Sequence, residues 1–215
     1  ISKKGLLKGK KIIDKIKQIV PERNIEDLSV PFCAVATDII EETEFVFTEG
    51  NLYEAIRASI SIPTVFQPVK IGNRYFVDGG LTNPIPVNRV KRNKDDLLVV
   101  VNVSSPVTYE KKSIEAEKLS DNKYSEQIKL IKEKLNNLIP TKKTEDIGIF
   151  NLTNNSIGTM MRKISDLTLE KHKPDLLINI SKESFGTYDF YKAKEIIKEG
   201  ERATLCALRS NLFIQ

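Results

Sequence analysis

A chain of 215 residues is long enough to close one substantial hydrophobic core, so a single domain is the first expectation. With 40% apolar and 29% charged residues, it has the composition of a globular protein and not of a fibrous or low-complexity one. The net charge of +5 is spread out, with Lys and Glu interspersed and no aromatics interleaved with the basic runs. This argues against a nucleic-acid partner and leaves room for weak peripheral contact with an anionic membrane surface.

Residues 5–20 have Ile12, Ile16 and Ile19 at helical spacing and lysines on the other face, which predicts an amphipathic helix stopped by Pro21. Residues 32–39 form a nearly continuous apolar run of strand length, the pattern of a strand covered on both faces. Residues 43–48 alternate and read as a partner strand nearer the surface. Residues 52–60 then read as a helix ended by Pro63. Val69-Lys70-Ile71 and Arg74-Tyr75-Phe76-Val77 flank Gly72-Asn73, which predicts a tight hairpin.

The return strand of that hairpin runs into Asp78-Gly79-Gly80-Leu81-Thr82-Asn83-Pro84-Ile85-Pro86. An apolar run ends there at one carboxylate, and the two glycines permit a sharp turn that leaves Asp78 projecting from a strand end. Asp-Gly is also a common turn dipeptide, so the residues alone leave a purely structural reading open.

After a short helix, residues 97–103 read as the clearest buried strand in the chain. Residues 104–146 are rich in Lys and Glu and predict a loop followed by a covering helix with the stripe Ile128, Ile131, Leu135 and Leu138. A long helix over 147–171, a buried strand over 175–180 and a closing helix over 188–208 complete the order. Strands alternating with helices predict an α/β fold with a mostly parallel sheet, mixed in character because of the hairpin.

Cys33 and Cys206 lie in apolar contexts without metal-ligand spacing. Buried reduced thiols, a cytoplasmic setting, no metal and no cofactor are the expectation. The single histidine, His172, reads as a surface residue at a helix end. No apolar run is long enough to span a bilayer, and no signal peptide is visible.

Several segments, in order, resemble the bacterial branch of the patatin-like phospholipases. They are Pro31-Phe32 leading to Val35-Ala36-Thr37-Asp38, the stretch from Ala55-Ile56-Arg57-Ala58-Ser59 through Ile60-Ser61-Ile62-Pro63, Val65-Phe66-Gln67-Pro68-Val69, and Tyr75 through Pro86. Asp189-Phe190 through Glu199-Gly200 is similar to the family's terminal helix. The resemblance implies a three-layer α/β/α patatin-like fold and a lipid acyl hydrolase acting on phospholipids or lysophospholipids. It implies a Ser-Asp dyad in which Asp78 is the catalytic base and Gly79 and Gly80 shape its turn. Asn83 and Pro84 hold the exit of that turn. Thr64 stands where many relatives have glycine.

The family's Gly-x-Ser-x-Gly elbow and its upstream Gly-rich loop are absent from these 215 residues. Ser59 and Ser61 precede a proline at a helix end and read as packing or capping residues. The expectation is therefore a chain that is the carboxyl-terminal part, residues 1–215, of one patatin-like domain whose sheet is incomplete at its N-terminal side. An upstream segment would carry the serine. Completion by that segment or by a homo-oligomer is expected, because an exposed apolar edge is a liability. The competing expectation is a non-catalytic interaction or scaffold domain of the same fold.

Overall fold

The computed structural model describes residues 8–108, 148–186, 189 and 192–212. The predicted covering helix around Ile128, Ile131, Leu135 and Leu138 lies outside the described residues, as do the first three residues of the predicted N-terminal helix and Tyr188, Phe190 and Tyr191 of the closing one. The chain divides into two compact units, Ile1–Lys91 with Ile157–His172 and Arg92–Ser156 with Lys173–Gln215.

In the first unit, β1 (Ala34–Asp38), β2 (Thr43–Phe47), β3 (Val69–Ile71) and β4 (Arg74–Asp78) form one sheet in the order β2-β1-β4-β3. Every neighbouring pair is antiparallel, which corrects the mostly parallel sheet predicted from sequence. The connections decide this. Parallel neighbours need a crossover of a dozen or more residues. Only residues 39–42 separate β1 from β2, and only Gly72 and Asn73 separate β3 from β4. All five residues of β1 are buried because the strand is central and covered on both faces, not because it is parallel.

Helix α1 (Lys10–Ile16) buries none of its residues, so the isoleucine stripe is only half covered. Helix α2 (Leu52–Ser59) starts where the Asn51 side chain accepts from the backbone N–H of Tyr53 at 3.0 Å and Glu54 at 3.2 Å. This satisfies donors that the helix itself cannot. Ala55 and Ala58, spaced to share one face, are fully buried. They let α2 approach the sheet, where Ala58 joins Ala36 and Phe76 in a core flanked by Phe45, Phe47 and Ile71. The rings of Phe45, Phe47 and Phe76 pack with centroids 4.7–5.4 Å apart, edge-on or tilted.

The second unit contains β5 (Val99–Ser105) and β6 (Leu176–Ser181), a parallel pair, with α4 (Ala193–Leu212) against β6. Residue 189 lies outside α4, which begins five residues later than predicted. The expectation that β5 is buried on both faces is corrected. Val100, Asn102 and Ser105 are buried, whereas Val99, Val101 and Val103 are 49%, 52% and 64% exposed. Among the described residues the strand has one partner and one covered face. Helix α3 (Ile149–His172) ends at Lys173, which has φ 40, and Pro174 follows, the usual stop for a helix. Among the described residues, no helix is long and apolar enough to cross a membrane, and no group of three His, Cys, Asp or Glu could hold a metal ion.

Candidate active site

Asp78 is the last residue of β4 and pairs with Ala36 of β1. Its backbone is pinned on both sides. The N–H donates to the carbonyl of Ser61 at 3.0 Å, and the carbonyl accepts the hydroxyl of Thr37 at 3.0 Å. The Thr37 hydroxyl also lies 2.9 Å from that of Thr82. The Thr82 hydroxyl also reaches the Gly79 carbonyl at 3.3 Å, so either threonine can be the donor between the two hydroxyls. The carbonyl of Gly79 accepts the backbone N–H of Thr82 at 3.1 Å and of Asn83 at 2.8 Å, closing a short 3-10 turn over Gly79–Leu81.

Gly79 is required by space, and Gly80 is closely packed by side chains. A Cβ on Gly79 would sit 2.2 Å from the carbonyl oxygen of Val35, in the buried central strand. A Cβ on Gly80 would sit 2.5 Å from the Met161 methyl and 2.9 Å from Oδ1 of Asp78. Without that Cβ, the Gly80 N–H donates to Asp78 Oδ1 at 2.7 Å. The carboxylate is thereby oriented through one oxygen, and Oδ2 takes no hydrogen bond among the described residues. Burial raises the Asp78 pKa above the ordinary carboxylate value, against the opposing pull of the Gly80 N–H. The result is an oriented carboxylate more basic than an exposed one.

The serines are not placed for catalysis. Ser61 is fully buried, donating to the Arg57 carbonyl at 2.6 Å and accepting from Arg57 Nη1 at 2.6 Å, as a structural residue does. Ser59 is half-buried at the last position of α2. Among the described residues, no serine hydroxyl bonds to the Asp78 carboxylate. His172, half-buried at the end of α3, lines a cleft of about 270 Å³ together with Glu44, Thr82, Asn83, Leu167 and Lys171. Asn83 is buried there and donates to Glu44 at 3.0 Å and Asn88 at 2.9 Å, holding the exit of the turn. Arg89 grips Glu44 through two bonds of 2.8 and 2.9 Å, which lowers the Glu44 pKa. Both cysteines are free. Contrary to the expectation of buried thiols, Cys33 is half-buried and Cys206 is exposed on α4, whose other face meets β6.

Residues 1–90 match the family model described as patatin-like phospholipase. The likeness to the patatin-like phospholipases is shown for these residues, fewer than half of the chain. An uncharacterized NTE family protein of Mycobacterium tuberculosis is 38% identical over 104 residues, covering 48% of this chain and 29% of that protein. A second NTE family protein of that species is 37% identical over 79 residues, 37% of this chain and 14% of the relative. Patatin-like phospholipase domain-containing protein 7 of Mus musculus is 32% identical over 93 residues, 42% of this chain and 7% of its own length. The chain thus spans less than a third of these curated relatives. The patatin-like match contains β1 to β4 and the whole Asp78 turn. The closing helix lies beyond it.

Three residues that build the patatin-like corner were not singled out from the sequence: Thr37, Thr82 and Arg57. Thr37 carried a signal, because a hydroxyl inside a buried apolar strand must find an acceptor. Arg57 carried one too, standing four residues before Ser61 at a helix end.

Proposed function

We propose that this chain supplies the base half of a Ser-Asp lipid acyl hydrolase, with Asp78 as the base and a serine on an upstream segment as the nucleophile. The substrate class is the acyl ester of a phospholipid or lysophospholipid, met at a membrane surface. The observation that carries this reading is the Asp78 carboxylate, buried enough for its pKa to rise and oriented through one oxygen by the Gly80 N–H. The lipid hydrolase family of residues 1–90 supports it.

The serine oxygen attacks the ester carbonyl, and its proton passes to Asp78 as the bond forms. The C–O bond to the glycerol or lysolipid alcohol breaks, and Asp78 returns that proton to the leaving oxygen. Water then attacks the acyl-serine, giving its proton through Asp78 to the departing serine oxygen. The reach required is about 2.6–3.2 Å, which a carboxylate fixed by a tight turn meets without a histidine. The upstream segment also completes the fold. The half-covered face of β5 is apolar, and parallel strands are normally covered on both faces.

Hydrolysis of p-nitrophenyl butyrate and of lysophosphatidylcholine by the full-length gene product tests this. Turnover that falls about 10²–10⁴-fold in Asp78→Asn is the expected result. Undiminished turnover in that variant removes Asp78 from the chemistry. A wild-type protein that hydrolyses neither substrate favours a scaffold of the same fold.

A further inference from the structure

The guanidinium of Arg57 is the unusual charge of the first unit. It is half-buried, and none of its partners is a carboxylate. It donates to the Ser61 hydroxyl at 2.6 Å, the Gln67 carbonyl at 3.1 Å and the Lys8 carbonyl at 3.1 Å, and it lies 5.4 Å from the centre of the Phe66 ring. Gly9 leaves the space, since a Cβ there would sit 2.3 Å from Arg57 Nε. Burial pushes the pKa of this cation down, so the fold holds it at a cost in solvation, offset by neutral oxygens and the face of Phe66 and by no carboxylate.

Two of those oxygens share a location. Ser61 and Gln67 bracket the loop between α2 and β3, and the Ser61 carbonyl is the acceptor for the Asp78 N–H at 3.0 Å. Ser61 is itself fully buried and returns a bond to the Arg57 carbonyl at 2.6 Å, so its two hydroxyl contacts fix its orientation. A flat fork of donors can bridge Ser61 and Gln67 together, which a single ammonium at the end of a lysine cannot do in the same geometry.

We infer that Arg57 is a positioning residue for Asp78, acting through Ser61 to set where the strand end carries its carboxylate. This rests on the reading of Asp78 as the base. Arg57 touches no reacting atom. It fixes the loop that fixes the peptide that bears the base.

The test compares Arg57→Ala, Arg57→Lys, Ser61→Ala and Asp78→Asn in the full-length gene product, with p-nitrophenyl butyrate as substrate. Competent serines are counted by complete titration with a fluorophosphonate, so that turnover is expressed per active site and not per milligram. In Arg57→Ala, kcat per titrated serine is expected to fall about 10–100-fold with KM within about twofold of wild type. Added guanidinium restores part of that loss, and methylammonium does not. Arg57→Lys and Ser61→Ala show smaller falls in the same direction, and they carry the test if Arg57→Ala does not fold. A merely structural role would lower the melting temperature and the titrated fraction while leaving kcat per titrated serine at the wild-type value in all three variants, and that result overturns the inference. Wild-type turnover in Asp78→Asn instead overturns the base assignment, and it is told apart because Arg57 is intact in that variant.

Discussion

Gly79→Ala puts the close approach of the turn to β1 to a quantitative test. The added Cβ would meet the Val35 carbonyl oxygen at 2.2 Å and its carbon at 2.6 Å, whereas ordinary contact begins at 3.4 Å. The turn and the strand must therefore separate by 3.4 − 2.2 = 1.2 Å. Neither side yields easily. Val35 is paired with Val46 and sits in the central strand, and Gly79 is buried under the turn that it opens. Overpacking of this kind costs about 1–3 kcal/mol. A shift of about 1 Å at a reacting group costs about 10²-fold in rate. The expected outcome in the full-length protein is a melting temperature lower by several degrees and a kcat for ester hydrolysis lower by about two orders of magnitude. Gly158→Ala is the control. No heavy atom lies within 4 Å of its Cβ position on α3, so the same added methyl should stabilise by about 0.5–1 kcal/mol. If Gly79→Ala melts and turns over like wild type, the steric account of the Asp78 corner is wrong.

Asp78→Asn should raise thermal stability at neutral pH while removing activity. Burial raises the folded-state pKa, so the cost of holding the carboxylate ionised grows as pH rises above the unfolded value near 3.8 and vanishes below it. Melting curves of the two proteins should therefore converge in acid, and a variant less stable than wild type at pH 7 would contradict this. Glu44 has the opposite sign. Its folded pKa is lowered, chiefly by the Arg89 hydrogen bond, so its contribution is present above about 4.5 and lost as pH falls through the folded value. The stability gap between wild type and Glu44→Gln should close in that window, and a gap independent of pH would refute the assignment. Thr64 has φ 70, a conformation that costs a β-branched residue about 1–2 kcal/mol, and glycine gives back about 0.5–1 through chain entropy. Thr64→Gly should stabilise by roughly the difference, measurable as a higher urea midpoint. A lower midpoint would show that the side chain of Thr64 outweighs the strain.

Local signals in the sequence carried far, and long-range pairing did not. Gly72-Asn73 marked a hairpin, and the chain turns there with Gly72 at φ 59. The helix read over 52–60 matches α2 to within a residue, and the one read over 147–171 matches α3 to within two. The run 32–39 marked a buried strand correctly but misled about direction, since burial on both faces is shared by parallel strands and by the centre of any covered sheet. Alternation along β5 is invisible in a run of valines, so which of them face solvent had to come from the structure. For the site, Asp78 and its glycines were legible because turn chemistry is local. The Ser61–Asp78 bond and the pair Thr37 and Thr82 join residues far apart in sequence, which no window of periodicity contains.

The hydrogen bonds that hold the Asp78 corner span 41 residues from Thr37 to Asp78 and 45 from Thr37 to Thr82, and the intervening strands are linked as antiparallel neighbours. The bonds that set β6 beside β5 span 77. Loop closure is easier and faster over shorter spans. During synthesis, the residues that make these two hydrogen bonds have all emerged well before the later strand pair exists. The hydrogen bonds of the corner can therefore close before those of the later strand pair.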